Sequence, residues 1–462
     1  MTTPILRLGR LFLLAFALVA AAAGFWAIAA RDDLIARHDN PRNVLAEQQI
    51  QRGEITDRNG QVLAETTFTS EDVATRTYPH PEAAPAVGYY SLRYGIGGVE
   101  AELDPHLRGT LFLTPSQALL DRTLHRPLVG GDVQLTLDVA TQQVAAAGMQ
   151  GRKGAVVALN AVSGDVLALV SAPSFDPAKL DEQWDALTAN PDSPLLNRAT
   201  QGLYQPGTAF LPVVMGEALN RGLVTPETAW DGGLETQVAS SILPCAGAPP
   251  TPITRIEEAL IWGCPAPIQK LGAQLGTDSL AIGLDDFGLN AAPAFSLPTI
   301  ASAATNGPDD VGLLAVGQSQ LTVTPLQLAL VAAAFANHGQ MPAPRLVEAT
   351  RPPGGEWADV PASGTPRGTI SRANADAIAG LMHTAVSDGA AHAAYADRLS
   401  IAGLCGLAIR GPQQHFDTWF MGFATPPSSS VIAIVVLLED TKNCSEAARI
   451  GREVLLAVVN EN

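Results

Sequence analysis

The chain has 462 residues, 47% of them hydrophobic and 16% charged, which excludes a disordered polyelectrolyte and leaves room for two or three folded domains. A formal net charge of −17 repels polyanions over most of the surface, and no block of lysine and arginine offsets it, so nucleic acid is not expected as a partner.

In chain order, the first element is the charge-free run from Leu11 to Ala30, about the length a helix needs to cross a bilayer core. Arg7 and Arg10 precede it and Trp26 stands near its outer end, as expected of a single-pass anchor. Ala27-Ile28-Ala29 also offers a small-residue cleavage site, and a cleaved signal would export the same downstream chain. Arg31, Arg37 and Arg42 follow the run, so local charge does not fix its orientation. The Asp57-Arg58-Asn59-Gly60 centre predicts a turn between two short extended pieces. Gly130-Gly131-Asp132 precedes an alternating strand, Val133 to Leu137, and a domain boundary is expected there.

Two apolar runs, 154–160 and 165–173, joined across Ala161-Val162-Ser163-Gly164, predict a hairpin buried on both faces. Thr418 to Ala424 and Val431 to Leu438 repeat the pattern across Pro426-Pro427-Ser428, and the four strands are expected in one antiparallel sheet. Thr324 and Gln327 stand in capping-box spacing with Pro325 at the first helical position, predicting a helix that ends before Gly339. A last helix is expected over about Ser445 to Val459, and the Pro/Gly-rich stretches 244–252 and 342–368 are expected as surface loops.

Four cysteines allow three pairings in an exported chain. Cys245 and Cys264 flank a proline-rich loop and are the preferred pair, with buried free thiols as the alternative. The sequence contains no C-x-x-C or His-x-x-His spacing, so neither a metal nor another cofactor is expected.

These segments, in this order, resemble the class B penicillin-binding proteins, the monofunctional transpeptidases that cross-link peptidoglycan. The resemblance rests on the RGEITDRNG segment at 52–60, Gly98-Val99-Glu100 with Leu107-Arg108-Gly109, and GAVVALNAVSGDVLALVSAPSFDP from 154. It continues through Leu195 to Tyr204, Ala315 to Gln318, Leu321 to Gln327, and Trp419 to Ala424. It implies an α/β (α+β) transpeptidase fold of the serine β-lactamase-like kind, an antiparallel sheet flanked by helices. The expected division is an anchor over 1–30, a small N-terminal domain over 31–135 and a transpeptidase-like domain over 136–462.

In that family three motifs meet in one cleft. Ser-x-x-Lys sets a nucleophile and a base on one face of a helix start; here the place is occupied by Thr208-Ala209-Phe210-Leu211. Ser-x-Asn supplies a relaying hydroxyl and an amide; the matching place holds Gly263-Cys264-Pro265. Lys-Thr-Gly presents a cation and a hydroxyl from an edge strand; the chain has Leu404-Cys405-Gly406-Leu407. Leucine cannot take a proton, and losing several members of a cooperating catalytic set costs on the order of 10⁴ to 10⁶ in rate. The lysines are Lys153, Lys179, Lys270 and Lys442, none at a motif position. His383, His392 and His415 are expected as surface or capping residues, Trp419 and Phe420 as core, and Cys405 as a buried or disulfide-bonded sulfur rather than a reactive thiol.

The expected protein is therefore a membrane-anchored member of the wall-synthesis machinery, with most of the chain on the extracytoplasmic side. It would act as a non-catalytic scaffold for cell-wall synthesis proteins, or hold peptidoglycan stem peptide without turnover. The alternative is an active D,D-transpeptidase or penicillin-binding acyltransferase using Thr208. A β-lactam sensor would need a cytoplasmic output domain, for which about ten residues before the anchor leave no room. The leucines at 211, 404 and 407 predict a dry cleft, closed or adapted to an apolar segment.

Overall fold

The computed structural model describes residues 2–26, 47–69, 73–124, 126–302, 310–411, 414–426 and 430–460. The first helix, α1, runs Thr2–Gly24, with an apolar window from Arg7 to Gly24 that meets the length and hydropathy of a membrane span and is not buried against the rest of the chain. It begins nine residues before the expected start: the leading segment carries only two charges, with a single glycine, Gly9, and no proline after Pro4, so the helix extends through Arg7 and Arg10. The cleavage-like Ala27-Ile28-Ala29 and Arg31, Arg37 and Arg42 lie outside the described residues.

Strands β1 (Ile55–Thr56) and β2 (Val62–Phe68) pair antiparallel around the expected turn. Asp57 makes that turn by accepting, at one carboxylate oxygen, the N–H of Asn59 and of Gln61, each at 2.8 Å. Strand β3 (Ala74–Thr77) pairs with β2, and β4 (Asp132–Leu135) runs parallel to β1. Beneath this sheet lies a buried ion cluster. Glu100, fully inaccessible, accepts from Arg52 at 2.9 Å and Arg76 at 2.6 Å, and Arg52 also reaches Asp104.

The larger unit begins with helix α2 (Val139–Gly148), N-capped by the Asp138 carboxylate on the Thr141 N–H. The predicted hairpin forms β5 (Gly154–Asn160) and β6 (Val166–Ala172). Helices α3 (Leu211–Asn220), α4 (Pro265–Asp286) and α5 (Pro325–Ala336) follow, the last with the anticipated Thr324–Gln327 capping box. The stretch 342–368 departs from expectation. Its proline and glycine clusters enclose β7 (Val347–Arg351), whose Val347 and Ala349 are buried and which pairs antiparallel with β4, and a two-residue strand, Ala358–Asp359, on the other side of β7, so this stretch adds two strands to the N-terminal sheet.

Helix α6 (Arg372–Ser387), strands β8 (Ser400–Arg410), β9 (His415–Thr425) and β10 (Ile432–Leu438), and helix α7 (Cys444–Asn460) complete the chain. The main sheet is antiparallel throughout, in the order β8-β9-β10-β5-β6. Pro427 and Ser428, part of the expected β9–β10 turn, lie outside the described residues.

Alternate side chains of these strands enter two cores, which is why the strands appear as unbroken apolar runs in the sequence. Val157, Leu159, Val435 and Trp419 face α5, while Val156, Ala158, Val436 and Phe420 face α2 and α7. Trp419 and Phe420 are both fully buried, each worth roughly 1.5–3 kcal/mol in apolar area removed from water. Cys405 is disulfide-bonded to Cys444, tying the edge strand β8 to the start of α7, and Cys245 is bonded to Cys264.

Candidate active-site cleft

Three segments far apart in sequence converge beside β8. The first is the turn Gly207–Phe210, a 3₁₀ helix that continues directly into α3 with Pro212 in its first turn. Residues three apart eclipse in such a turn, which sets Thr208 and Leu211 on one side. Gly207 adopts a positive φ of 53°, and a Cβ there would run into the Leu407 carbonyl, so only glycine lets the turn approach the strand so closely. The turn is further held by the Gly207 N–H donating to the Gly317 carbonyl at 3.0 Å.

The second segment is the edge strand β8. A Cβ at Gly406 would come within 2.5 Å of the Ala209 nitrogen, and the Leu407 N–H donates to Thr208 Oγ1 at 2.9 Å. The third is Gly263-Cys264-Pro265, between a short helix Ile256–Trp262 and α4; a Cβ at Gly263 would approach the Cys405 carbonyl oxygen to 2.8 Å. The Cys245–Cys264 bond and the Ala246 N–H to Gly263 carbonyl bond, 3.2 Å, pin the proline-rich loop over this turn. The fold thus brings Thr208, Gly263, Cys405, Gly406 and Leu407 together.

The place where they meet is dry. Thr208 is 0% exposed, Leu211, Leu404 and Cys405 1% each and Leu407 2%, and Gly263, Pro265 and Gly406 are buried as well. Leu211, Leu404 and Cys264 belong to the main apolar core, while Leu407 packs with Ile409 and with Leu243 from the hairpin Thr236–Val238/Ser241–Leu243. A cavity of about 260 Å³ remains outside, lined by Gln205, Gln318 and Ile409 among others, and the Gln414 side chain donates across its rim to Ser240 Oγ at 3.1 Å.

An acyl transfer needs a group to take the nucleophile's proton and free donors for the developing oxyanion. Thr208 Oγ1 meets a donor, the Leu407 N–H, and among the described residues no side-chain base reaches it. Each lysine is engaged elsewhere: Lys153 with Asp192 at 2.9 Å, Lys179 with Asp176 at 2.9 Å, and Lys270 and Lys442 over the rings of Trp230 and Phe416. His392 Nδ1 lies 3.1 Å from the Val386 carbonyl and His415 Nδ1 3.0 Å from Asp440, while His383 is exposed. No group of three or more His, Cys, Asp or Glu that could hold a metal occurs among the described residues.

What sequence reasoning missed is the polar frame behind the cleft. Gln318, 1% exposed, accepts the Ile409 N–H at 3.2 Å, and the Trp419 indole N–H donates to the Gln205 carbonyl at 3.1 Å. Both contacts fix the turn on the sheet, and their long-range partners leave no local signal in the sequence.

The profile described as "Penicillin binding protein transpeptidase domain" matches residues 154–456, and that described as "Penicillin binding protein A dimerisation domain" matches residues 52–133. The chain is 32% identical to the Peptidoglycan D,D-transpeptidase PbpA of Mycolicibacterium smegmatis, covering 100% of each chain. It is 32% identical to the protein of the same name from Mycobacterium tuberculosis, covering 93% of each. The crystal structure of PBPA from Mycobacterium tuberculosis superposes with a TM-score of 0.78 at 30% identity, over 88% of this chain and 99% of that one. The imipenem acyl-enzyme complex of penicillin-binding protein A from M. tuberculosis gives 0.79 at 32% identity, over 90% and 100%.

Proposed function

The chain belongs to the class B penicillin-binding protein transpeptidase family of peptidoglycan synthesis, and from that premise we propose that it is a non-catalytic member, a membrane-anchored scaffold of the wall-synthesis machinery. The observation that carries this reading is the Thr208 hydroxyl, buried and bonded to the Leu407 N–H, with leucine where the family's general base stands. A threonine hydroxyl without a base stays protonated at neutral pH and is a poor nucleophile. The same donation occupies the edge-strand N–H nearest the reacting atom, so neither attack nor oxyanion stabilisation has its group free.

In this reading Gly263, Pro265, Leu404, Cys405 and Gly406 serve as packing positions, and the Cys245–Cys264 bond secures the closed wall. An anionic stem peptide would find no cation among the described residues lining the cleft and would have to displace leucine side chains, so binding by partner proteins fits the site better than binding of stem peptide. Helix α1 would hold the protein in the membrane, with the remainder on the extracytoplasmic side.

The relatives' names favour a second reading, an active D,D-transpeptidase using Thr208. Incubating the full-length protein with a fluorescent penicillin separates the two. The scaffold reading expects no covalent label. A stoichiometric, acid-stable adduct on Thr208 overturns it. Affinity purification from membranes, expected to recover wall-synthesis proteins, tests the partner side.

A further inference from the structure

Apolar side chains gather where the chain enters the N-terminal unit from α1. The described chain resumes at Glu47, and the residues that follow are built in at once. The Ala74 N–H donates to the Gln48 carbonyl at 2.7 Å, the Gln51 N–H to the Leu128 carbonyl at 3.0 Å, and the Gly130 N–H to the Gln51 carbonyl at 2.8 Å. The backbone leaves this spot at Gly109 and returns to it at Val129, since a Cβ on Gly109 would lie 2.1 Å from the Val129 carbonyl oxygen. Between the two runs the helix Pro115–Leu124.

The solvent side of this excursion is apolar. Leu120 and Leu124 stand four residues apart and so share a helix face, and with Leu111 and Val129 on either side they are between 48% and 65% exposed. Phe68, opposite Ala74 in the β2–β3 pair, adds an exposed ring beside the Gln48 contact. Leucines on a surface helix ordinarily face the core, and a group of them left in water marks a surface that meets something else. The charge beside them is opposite to that of the chain: 110–130 carries Arg122 and Arg126 against Asp121 alone, whereas the whole chain has a net charge of −17.

We infer that this face lies on the lipid bilayer, as a shallow contact with an anionic leaflet close to the α1 span. The aliphatic side chains enter the headgroup–acyl boundary and the arginines meet lipid phosphates, the pairing of apolar and basic groups that interfacial helices use. Residues 27–46 can carry Glu47 no further than about 70 Å from the end of α1, so the contact forms within one molecule and shallow insertion suffices. A second copy of the chain is the competing occupant, and it would set two arginine-bearing faces against each other. The inference rests on α1 being a membrane anchor and is indifferent to whether Thr208 reacts.

The test places the full-length protein, one copy per lipid nanodisc, in phosphatidylglycerol and phosphatidylcholine in equal parts or in phosphatidylcholine alone. The native cysteines are all disulfide-bonded, so Leu120→Cys adds a single thiol for a bimane label, with Val162→Cys, on the exposed β5–β6 turn, as reference. A lipid carrying a nitroxide near its headgroup should quench the label at 120 about twofold more than the label at 162 in anionic discs. The excess should shrink at about 1 M salt, where the Debye length is near 3 Å. Leu124→Cys is the second variant if the first does not fold, and the unsubstituted protein should show slower hydrogen exchange over 115–124 in anionic than in neutral discs. Absence of excess quenching, or exchange that is the same in both discs, overturns the inference. So does a signal that appears only when two copies share a disc, which would make the face an interface between copies. A chain that fails to enter discs refutes the anchor together with this inference, whereas entry without quenching refutes this inference alone.

Discussion

Leu211→Lys restores an amine one turn after Thr208, and the closed cleft should reject it. Leu211 is 1% exposed, inside an apolar core shared with Cys264 and Leu404, and the facing motif positions offer glycine and proline. Burial lowers a lysine pKa by about 3 to 5 units. Holding the amine neutral at pH 7 against an ordinary value near 10.4 costs about 4 to 5 kcal/mol at roughly 1.36 kcal/mol per unit. Lost leucine packing adds about 1 to 3 kcal/mol, so the whole is comparable with the stability of an ordinary domain, about 5–15 kcal/mol. The sign is set by a folded pKa below the unfolded one: the penalty is full below the folded value and vanishes as pH rises past the unfolded value. Urea unfolding of the variant beside Leu211→Met should show a deficit of at least ~4 kcal/mol near pH 7, smaller by ~3 kcal/mol near pH 9.5. A variant as stable as the parent, with no pH dependence, would mean that the site admits a charge, and the argument from a dry cleft would fail.

Glu100→Ala leaves Arg52 and Arg76 facing each other in a sealed site, and a loss of roughly 3–5 kcal/mol in thermal or denaturant unfolding is expected; a loss below about 1 kcal/mol would contradict the burial of the cluster. Burial pushes the Asp417 carboxyl up to about 6, against the pull of Arg410 at 3.0 Å. Its folded pKa lies above the unfolded value, so its contribution to stability is greatest below about pH 4 and is lost as pH rises through 6, by ~2–3 kcal/mol; carboxyl NMR should find the midpoint near 6, and Asp417→Asn should remove that slope. Replacing Cys245 and Cys264 together by serine opens a bond of sequence separation 19 and should cost ~3 kcal/mol, read as a lower unfolding midpoint, and should raise hydrogen exchange at Ala246 and Gly247.

The parts of the fold that were legible in the sequence are those whose signals are local. The 154–160 and 166–172 runs, the Thr324-Pro325-x-Gln327 cap and the Asp57 turn each carry their own periodicity or hydrogen-bond chemistry, and all formed as expected. The 342–368 stretch was misjudged because β7 is short and framed by proline and glycine, and its partner β4 lies more than two hundred residues earlier. At the cleft, motif spacing named Thr208 and Leu407, but the bond between them depends on how closely a turn and a strand approach, which Gly207 and Gly406 permit and no local pattern encodes.

Pairing of β7 with β4 has a practical corollary for anyone who would dissect the protein genetically. A cut between residues 135 and 136 does not release two modules, because it strips a returning ribbon of its neighbour and exposes a row of unmet amides and carbonyls to the solvent. Chimeras and truncations that respect the ribbon, by carrying residues 47–135 along with everything downstream, should remain soluble where the shorter pieces clump.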